Sequence, residues 1–507
     1  MKLRYIFSMA FLLVFAAACT NLDEVLNGDL TGEEATDYLA DNTDVDALLR
    51  GVYEEMRLPY QDQSRFWAAQ EHTTDEVMGP TRGPDWDDNG IWRVLHDHTW
   101  DAEHAFLAST FDELLGIVFS STNVLNFNPT PQQAAEARFI RAFVMLSVLD
   151  GWGQVPFRQP GENLLDAPRV LSGSEAADFI INELNEIMDD LPDNGPATRA
   201  SKYAAHALLM KAHLNRGTYA DRANPSFDAA DMDAVILNAD AIINSGKYAV
   251  SANYWDNFAP DNDVLSTENI FTGENRGGES SGNVRSRWMC TLHYNQNPSG
   301  WNGFTTIADF YDKFDANDPR LSGEYPTQTD LTGVRVGFLE GQQFDVDGNA
   351  LQDRKGNPLS FTKDVSLRET GNDLEVTGIR VVKYVIDFAG GDNADNDYVF
   401  LRFADVWLMK AEALLRKGDV AGALDMVNIL RSARGADELG TLDADALLDE
   451  RGFELYWEGH RRSDLIRFGK FLDAYSQKQA SGPERLVFPI PAAALAVNPN
   501  LIQNPGY

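Results

Sequence analysis

Basic residues and cysteines are both scarce in this 507-residue chain. It has 42 lysine and arginine residues against 78 aspartate and glutamate residues, which gives a formal net charge of −36. A surface this acidic repels phosphate groups, so the composition excludes nucleic-acid binding and adsorption to anionic lipid headgroups. Hydrophobic residues make up 44% of the chain, which indicates a folded globular protein rather than a disordered one.

The first of the two cysteines, Cys19, lies directly behind the chain's longest apolar run, residues 5–18. That run is shorter than the about 20 apolar residues that a membrane span needs. Two basic residues precede it and three alanines end it, a pattern typical of a signal peptide. The sequence AAAC resembles the lipobox of bacterial lipoproteins, although Ala16 stands where that motif usually has leucine. We therefore expect residues 1–18 to be a lipoprotein signal peptide and Cys19 to be acylated. An ordinary secretory signal is the alternative.

The second cysteine, Cys290, has no disulfide partner within the chain if Cys19 carries a lipid. It lies among apolar and aromatic residues in SRWMCTLHY, which predicts a buried, inert thiol. No second apolar run approaches the length of a membrane span. The mature protein is therefore expected to be anchored by lipid or soluble.

Helical periodicity dominates the two ends of the chain. Apolar residues recur at helical spacing in 134–149, 203–216, 232–243, 401–416, 420–434, 443–458 and 463–474. In the pair 401–434, large Trp407, small Ala411 and Ala423 and the turn at Gly418 are spaced as in a tetratricopeptide unit. One such pair cannot bury its own apolar face, so several pairs must stack.

The middle of the chain has a different texture. Between residues 246 and 397, glycine, asparagine, aspartate and aromatic residues are frequent, and the short alternating run 380–385 predicts a strand. Gly348 and Gly356 punctuate a predicted hairpin. We expect a mainly α fold in which residues 19–507 form one domain. Tetratricopeptide-like helix pairs (19–245 and 398–475) make a scaffold, 246–397 make a loop-rich lobe with short strands, and 476–507 make a C-terminal segment.

Four blocks of sequence resemble signatures of the SusD/RagB family and occur in that family's order. They are EARFIRAFVMLSVLDGWGQVPF (136–157), YVFLRFADVWLMKAEALLRKGD (398–419), LLDERGFELYWEGHRRSDLIRFGKF (447–471) and FPIPAAALAVNPNLIQNPGY (488–507). The resemblance implies an outer-membrane lipoprotein that faces outward and binds glycans or other nutrients. It also implies a SusC-like, TonB-dependent barrel transporter as partner, a helical scaffold with a ligand site on loops, and no cofactor. Asp23 and Glu24 resemble the acidic tag that directs such lipoproteins to the cell surface.

Two carboxylates in 451–462 raise the possibility of a glycosidase. Glu454 and Glu458 lie four residues apart with Arg451 and Arg462 beside them. Glycosidase carboxyl groups must lie on opposite sides of the scissile bond, about 5–9.5 Å apart. Successive turns of one helix present both to the same side, so we expect a structural ion-pair ladder along the helix pair.

Two further clusters have the composition of metal sites. His96, His98 and His104 could converge on a metal with Asp101 close by, but only after a specific fold-back of the chain. Histidines held by ordinary hydrogen bonds are the alternative, which we favour, so no metal is assigned.

A calcium loop is the other possibility that composition suggests. Asp345, Asp347, Asn349 and Asp353 alternate as calcium ligands do, but the glycine falls early for an EF-hand and no glutamate closes the loop. A turn held by aspartate and asparagine side chains is expected there. The acidic run 392–397 is expected to be a solvated loop.

Two aromatic clusters are the best candidates for ligand binding. They lie in TRGPDWDDNGIWRVLHDHTW (81–100) and YNQNPSGWNGF (294–304), where polar side chains alternate with aromatic rings. Sugar rings expose C–H groups on one face and hydroxyls at the edge, which suit aromatic planes and polar side chains respectively. The candidate ligand-binding residues are Trp86, Trp92, Trp100, Asp88, Arg93, Tyr294, Asn295, Trp301 and Asn302.

The sequence thus predicts a surface lipoprotein, not an enzyme, that captures an oligosaccharide for a barrel transporter. The same chemistry suits a peptide or another nutrient. A glycoside hydrolase, a metal-dependent hydrolase using the histidine cluster, and a periplasmic protein-binding scaffold are the remaining alternatives. No HExxH or phosphate-binding glycine motif occurs in the sequence.

Overall fold

The computed structural model describes Tyr38 and residues 40–507. The predicted signal peptide, Cys19 and the acidic pair Asp23–Glu24 lie outside the described residues, so those predictions are not tested by it. Residues 45–507 form one compact unit. In the described part of the preceding unit, the amide of Asn42 donates to the carbonyl of Tyr38 at 2.8 Å.

Helices make up most of the regular structure. In chain order they are α1 (Val45–Glu55), α2 (Arg57–Gln61), α3 (Phe66–Glu71), α4 (Ile91–His96), α5 (Ala105–Val124), α6 (Pro131–Trp152), α7 (Gly173–Ile187), α8 (Lys202–Ala220), α9 (Ala229–Ile243), α10 (Asn262–Leu265), α11 (Ser286–Met289), α12 (Ala308–Tyr311), α13 (Pro326–Thr332), α14 (Phe403–Arg416), α15 (Val420–Arg434), α16 (Ala444–Leu455), α17 (Arg461–Arg467) and α18 (Ala492–Val497). Among the described residues, none is long and apolar enough to cross a membrane.

The longest helix, α6, is delimited by its own sequence. The hydroxyl of Thr130 accepts from the backbone N–H of Gln133, whose side chain accepts from the N–H of Thr130, and Pro131 takes the first helical position. Gly153 ends the helix with a φ of +74°, a conformation that glycine adopts without a steric penalty. These signals fix the length of the helix against which α5 and α7 pack.

The long helices pack in a continuous series, in which α5 contacts α6, α6 contacts α7, and so on through α8, α9, α14 and α15. The predicted repeat unit is present as the pair α14–α15, where Ala411 and Ala423 are fully buried at the crossing. The indole of Trp407 donates across it to the carbonyl of Met426 at 2.6 Å. The mainly α fold with tetratricopeptide-like pairs is therefore confirmed.

Several predicted helix boundaries were wrong. The helix predicted from residue 401 begins at Phe403, because residues 398–402 form a strand that pairs with residues 269–273, and the helix predicted over 443–458 ends at Leu455. The last predicted helix ends at Arg467 instead of reaching 474, since the chain turns at Gly469, whose φ is +71°. Helices α1, α5 and α7 were not predicted.

The region 246–397 carries short helices and strands between loops. Over all the described residues, the strands are β1 (Thr81–Arg82), β2 (Gln154–Phe157), β3 (Arg169–Ser172), β4 (Asn269–Gly273), β5 (Ser322–Gly323), β6 (Val336–Leu339), β7 (Gly341–Gln342), β8 (Ser360–Phe361), β9 (Arg368–Glu369), β10 (Arg380–Val382) and β11 (Tyr398–Arg402), of which β4 to β10 lie in this region. They form small groups: β10-β6-β5, β11-β4, β2-β3 and β7-β8 are antiparallel, and β1-β9 is parallel. The predicted strand 380–385 is present only in its first half, as β10 (Arg380–Val382).

The C-terminal segment closes over the end of α6. The ring of Phe488 packs against Trp152 and Trp100, with centroids 5.5 and 5.2 Å away, and its N–H donates to the carbonyl of Gly151 at 2.8 Å. The amide of Asn504 donates to the carbonyl of Trp152 at 2.8 Å. Two of the four family-like blocks, 136–157 and 488–507, therefore pack into one hydrophobic core.

Charged side chains buried beneath the lobe link it to the scaffold. We call Glu268, Arg320, Arg402, Arg434 and Glu454 the buried charge network, and each of these side chains is at most 1% exposed. Glu454 of α16 lies 2.7 Å from the guanidinium of Arg402, 2.6 Å from that of Arg434 and 3.1 Å from that of Arg320. Glu268 bridges Arg402 and Arg434 at 3.1 and 2.6 Å. Its members come from α15, α16, β11 and two loops.

Candidate functional site

The two aromatic segments predicted from sequence meet in space. Arg82 and Asp85 close a tight turn with two backbone hydrogen bonds of 2.8 and 3.1 Å, which positions Trp86 at its end. The buried guanidinium of Arg82 donates to the carbonyl of Gly303 at 3.3 Å and to the carbonyl of Leu374 at 2.8 Å. One arginine thus ties the first segment to two parts of the lobe, the second segment and the loop at Leu374.

Trp86 bridges the two segments directly. Its indole N–H donates to the carbonyl of Trp301 at 2.9 Å, and its ring lies flat against Gly303. A Cβ at Gly303 would lie only 2.3 Å from the ring of Trp86, so this approach requires glycine. Trp86 and Trp301 are both partly exposed, and both rings can therefore contact a ligand at the surface.

Tyr294 extends this surface. Its hydroxyl donates to Oδ2 of Asp85 at 3.1 Å, and the guanidinium of Arg354 lies 3.9 Å from the centre of its ring. Arg354 is itself held by Glu375, whose Oε1 accepts from its Nε at 2.8 Å. Burial and the charge of Asp85 raise the pKa of Tyr294, so its hydroxyl remains a donor. We call Trp86, Tyr294 and Trp301 the aromatic surface.

Asn295 lies at the edge of the aromatic surface, where its amide donates to the carbonyl of Gln352 at 2.8 Å. Gln352 belongs to a ribbon with two consecutive turns, DVDGN and DRKGN, in place of the single predicted hairpin. In the first turn, Asp345 accepts from the N–H groups of Asp347 and Asn349 at 3.0 and 2.8 Å. The predicted turn held by aspartate and asparagine is confirmed.

The second turn of the ribbon repeats the first. The carboxylate of Asp353 accepts from the N–H groups of Lys355 and Asn357, each at 2.8 Å, and from the amide of Asn357 at 3.1 Å. Both carboxylates are therefore occupied by hydrogen bonds of their own turns. The second turn also places Arg354 over Tyr294.

Left-handed backbone conformations cluster at this site. Trp86, Asp88, Asn89 and Asn302 have φ values of +59°, +38°, +56° and +53°. Asparagine and aspartate adopt this region more readily than other side chains, but it is unfavourable for a residue as bulky as tryptophan. Such residues cost about 1–3 kcal/mol each and are concentrated at functional sites. The cluster favours a functional role for the first segment.

Two of the predicted tryptophans do not lie on the aromatic surface. Trp92 is 4% exposed, its indole donates to Oδ2 of Asp88 at 2.9 Å, and its ring packs on Phe304. Trp100 is 2% exposed and donates to the hydroxyl of Tyr507 at 2.7 Å. Because a buried ring offers no face to a ligand, the prediction of direct binding by Trp92 and Trp100 was wrong.

Arg93 and Asn302 are also buried. Arg93 donates to Asp87 at 2.6 Å and to the hydroxyl of Thr81. Oδ1 of Asn302 accepts from the guanidinium of Arg380 at 2.9 Å. Both are occupied in supporting the loops, so they are corrected from ligand contacts to positioning residues. Asp88 is exposed, and its role in binding stays a prediction.

The histidine cluster does not converge. The Nε2 atoms of His96, His98 and His104 face three separate backbone carbonyls at 3.0, 2.8 and 3.1 Å, namely those of Ser476, Thr73 and Ile91. Burial lowers the pKa of all three, in the case of His96 to about 4, so they are neutral hydrogen-bonding groups. Within residues 40–507, no group of three or more histidine, cysteine, aspartate or glutamate side chains is arranged to hold a metal.

The four charged residues of 451–462 form no ladder with one another. Arg451 pairs with Asp405 and Asp464 at 3.0 and 2.8 Å, whereas Glu458 and Arg462 follow the end of α16 at Leu455. The prediction of an ion-pair ladder along the helix was therefore wrong, because the partners come from distant elements.

Glu454 and Glu458 are unsuited to acid–base catalysis. Burial alone would raise the pKa of Glu454, but the charges of Arg434, Arg402 and Arg320 outweigh it and hold that pKa well below its ordinary value. Glu458 is also buried, and its pKa is lowered by Arg402 and by Lys383, 2.9 Å away. Neither carboxyl group can be protonated near neutral pH or reach a sugar at the surface.

Two further predictions concern Cys290 and the acidic run 392–397. Cys290 is fully buried, and burial raises the pKa of its thiol well above the ordinary value, which confirms an inert cysteine. Asp392 and Asp395 are exposed as expected, but Asp397 is buried. Its carboxylate accepts from the N–H of Asn275 at 2.9 Å and from the hydroxyl of Thr272 at 3.0 Å, so the solvated-loop prediction was wrong there.

Sequence reasoning missed three residues on which the site depends: Arg82, Gly303 and Arg354. Gly303 follows Trp301 by two positions, and a glycine beside aromatic residues was a usable signal of close packing. Arg82 and Arg354 lie in segments whose contacts with residues more than 50 positions away leave no local pattern.

Comparison with known proteins agrees with this architecture. Residues 236–507, more than half of the chain, match the model of the SusD family. The starch-binding protein SusD of Bacteroides thetaiotaomicron is 28% identical over 421 residues, covering 75% of this chain and 73% of that protein.

Two solved structures share the fold. A SusD superfamily protein of Parabacteroides distasonis superposes with a TM-score of 0.71 at 18% identity, covering 94% of this chain and 100% of its own. Surface glycan-binding protein A of Bacteroides thetaiotaomicron, solved in complex with laminarihexaose, has a TM-score of 0.68 at 16% identity, covering 91% and 98%. With the family match over more than half its length, this chain belongs to the SusD family.

Proposed function

We propose that this protein is a non-enzymatic glycan-binding lipoprotein of the outer membrane that passes oligosaccharides to a SusC-like, TonB-dependent transporter. The observation that carries the proposal is the aromatic surface, in which two partly exposed tryptophans, one from segment 81–100 and one from the loop-rich lobe, lie beside polar side chains. Aromatic faces suit the C–H faces of sugars, and Asp85, Asp88 and Asn295 suit the hydroxyls.

The relatives support the same function. One is a starch-binding protein and another binds laminarihexaose, so glycan binding recurs on this fold. Glu454 and Glu458, the carboxyl pair that raised the possibility of a glycosidase, are buried in ion pairs and are not available as its catalytic acids. Only the sequence pattern supports lipidation at Cys19, surface display and delivery to a transporter.

Titration calorimetry against a panel of oligosaccharides and peptides tests the ligand-binding part. We expect an oligosaccharide to bind, and Trp86→Ala or Trp301→Ala to weaken it at least about tenfold, or about 1.4 kcal/mol, because each removes a stacking ring. Phe119→Ala is the matched control, since that aromatic residue is 47% exposed on α5 of the scaffold. Unchanged affinity in both tryptophan variants would refute the site. Binding of peptides alone would refute the ligand class.

Metabolic labelling with a fatty-acid analogue tests the anchor. We expect the mature protein to be labelled and to lose its label in Cys19→Ser. Protease treatment of intact cells should then degrade the wild-type protein if it is displayed on the surface. An unlabelled protein released into the medium would contradict the proposed localisation.

A further inference from the structure

Three cations near the aromatic surface are each committed to an acidic partner. Arg354 is held by Glu375, and Arg93 pairs with Asp87 at 2.6 Å. Arg285, whose guanidinium lies 5.8 Å from the ring of Trp301, pairs with Asp392. None of these cations therefore presents an uncompensated charge to a ligand.

Two further guanidiniums lie beneath the surface. Arg82 and Arg380 are buried, and their N–H groups are directed to backbone carbonyls, to Thr377 and to Asn302. The carboxylate of Glu369, also buried, partly offsets their charge. These groups stabilise the loops from behind and do not reach the solvent face.

Two acids at the surface have no such compensation. Within the described part of the chain, neither Asp85 nor Asp88 has a lysine or arginine nitrogen within the 4.0 Å of an ion pair. Each accepts instead from a neutral donor, Asp85 from the hydroxyl of Tyr294 and Asp88 from the indole of Trp92. Both are exposed, so their free lone pairs face the ligand.

We propose that this site selects neutral glycans and discriminates against chains that carry sulfate or uronate groups, an inference that rests on the proposed function. Exposed carboxylates accept hydrogen bonds from sugar hydroxyls but repel anions placed close to them. An anionic ligand on the aromatic surface would lie beside the exposed Asp85 and Asp88, whereas Arg82 and Arg380 are buried. Arg354 is 51% exposed, but its charge is paired with Glu375. The net charge of −36 acts in the same direction.

The test compares one neutral oligosaccharide that binds the wild-type protein with its own sulfated or carboxymethylated derivative. We expect the derivative to bind at least about tenfold more weakly at low ionic strength. The ratio should shrink as salt is added, because salt screens charges at the surface. It should also shrink in the double variant Asp85→Asn/Asp88→Asn. Asp189→Asn, which removes one exposed charge at the end of α7, is the control and should leave the ratio unchanged.

The possible outcomes separate the two proposals. If the ratio is independent of salt and of Asp85 and Asp88, the added groups obstruct binding by size alone and the charge selection is refuted. If the anionic derivative binds more tightly than the neutral oligosaccharide, the charge selection is refuted as well. If no glycan of either kind binds, the proposed function itself fails.

Discussion

Charged residues have opposite settings in two parts of this molecule. In the buried charge network, acids and arginines from distant elements meet with side chains at most 1% exposed, and each acid contacts at least two arginines. At the aromatic surface, Asp85 and Asp88 remain exposed and bind only neutral donors. The comparison indicates that charges hold the fold together in one region and are left available for a ligand in the other.

The largest expected effect is at the centre of the buried charge network. Glu454→Ala would remove the one acid that Arg402, Arg434 and Arg320 share, although each keeps another acidic partner. We expect the loss of this buried charge to lower the free energy of unfolding by about 3–5 kcal/mol. Urea unfolding of the variant measures this. A loss below about 1 kcal/mol would show that the network is not essential to stability.

A second test uses Asp397, the buried acid that sequence analysis assigned to a solvated loop. Burial, together with the charges of Asp263 and Glu274, raises its pKa to about 7. Because the folded state holds this proton and the unfolded state releases it near pH 4, the stability contribution is present below about pH 4 and is lost as the pH rises to 7. Each unit of pKa difference corresponds to about 1.4 kcal/mol.

Asp397→Asn should therefore gain stability relative to the wild-type protein as the pH rises from about 4 to 7. Urea unfolding across that range measures the difference. Asp395→Asn, at an exposed position nearby, is the control and should leave the slope unchanged. If the free energy of unfolding changes with pH in the same way for Asp397→Asn and the wild-type protein, the buried, protonated carboxyl group is contradicted.

A third, smaller effect separates the aromatic surface from the scaffold. In Gly303→Ala the new methyl group would overlap the ring of Trp86, displace it and break its hydrogen bond to Trp301. We expect glycan affinity to fall at least about tenfold, with a stability loss of about 1–3 kcal/mol from overpacking. Calorimetry and urea unfolding measure the two. Gly116→Ala, where no atom lies within 4 Å of the added carbon, is the control. Unchanged affinity would show that the position of Trp86 does not matter.

The smallest effect is expected at an exposed ion pair. Glu324 and Arg335 are 2.8 Å apart, but their side chains are 70% and 47% exposed. Glu324→Gln should change the free energy of unfolding by less than about 0.5 kcal/mol, since solvent screens such pairs. A loss of free energy of unfolding as large as that of Glu454→Ala would contradict the expected difference between buried and exposed ion pairs.

The helical scaffold could be predicted from the sequence because helical periodicity and capping depend only on residues close together in the chain. Gly418, Ala411 and Ala423 were enough to identify the pair α14–α15. The partners of Glu454 could not be predicted, because Arg402 and Glu268 lie 52 and 186 positions away.

The candidate site was predictable only in part. Local composition identified the two aromatic segments, yet it could not separate Trp86 and Trp301 from the buried Trp92 and Trp100. Burial depends on how the two loops pack, and that packing is set by long-range contacts such as those of Arg82 with Gly303.

The most direct test of the central claim is a crystal structure of the protein with a bound oligosaccharide. The account predicts sugar rings against Trp86 and Trp301, with hydroxyls within hydrogen-bond distance of Asp85 or Asp88. A sugar bound elsewhere, with the aromatic surface unoccupied, would contradict it.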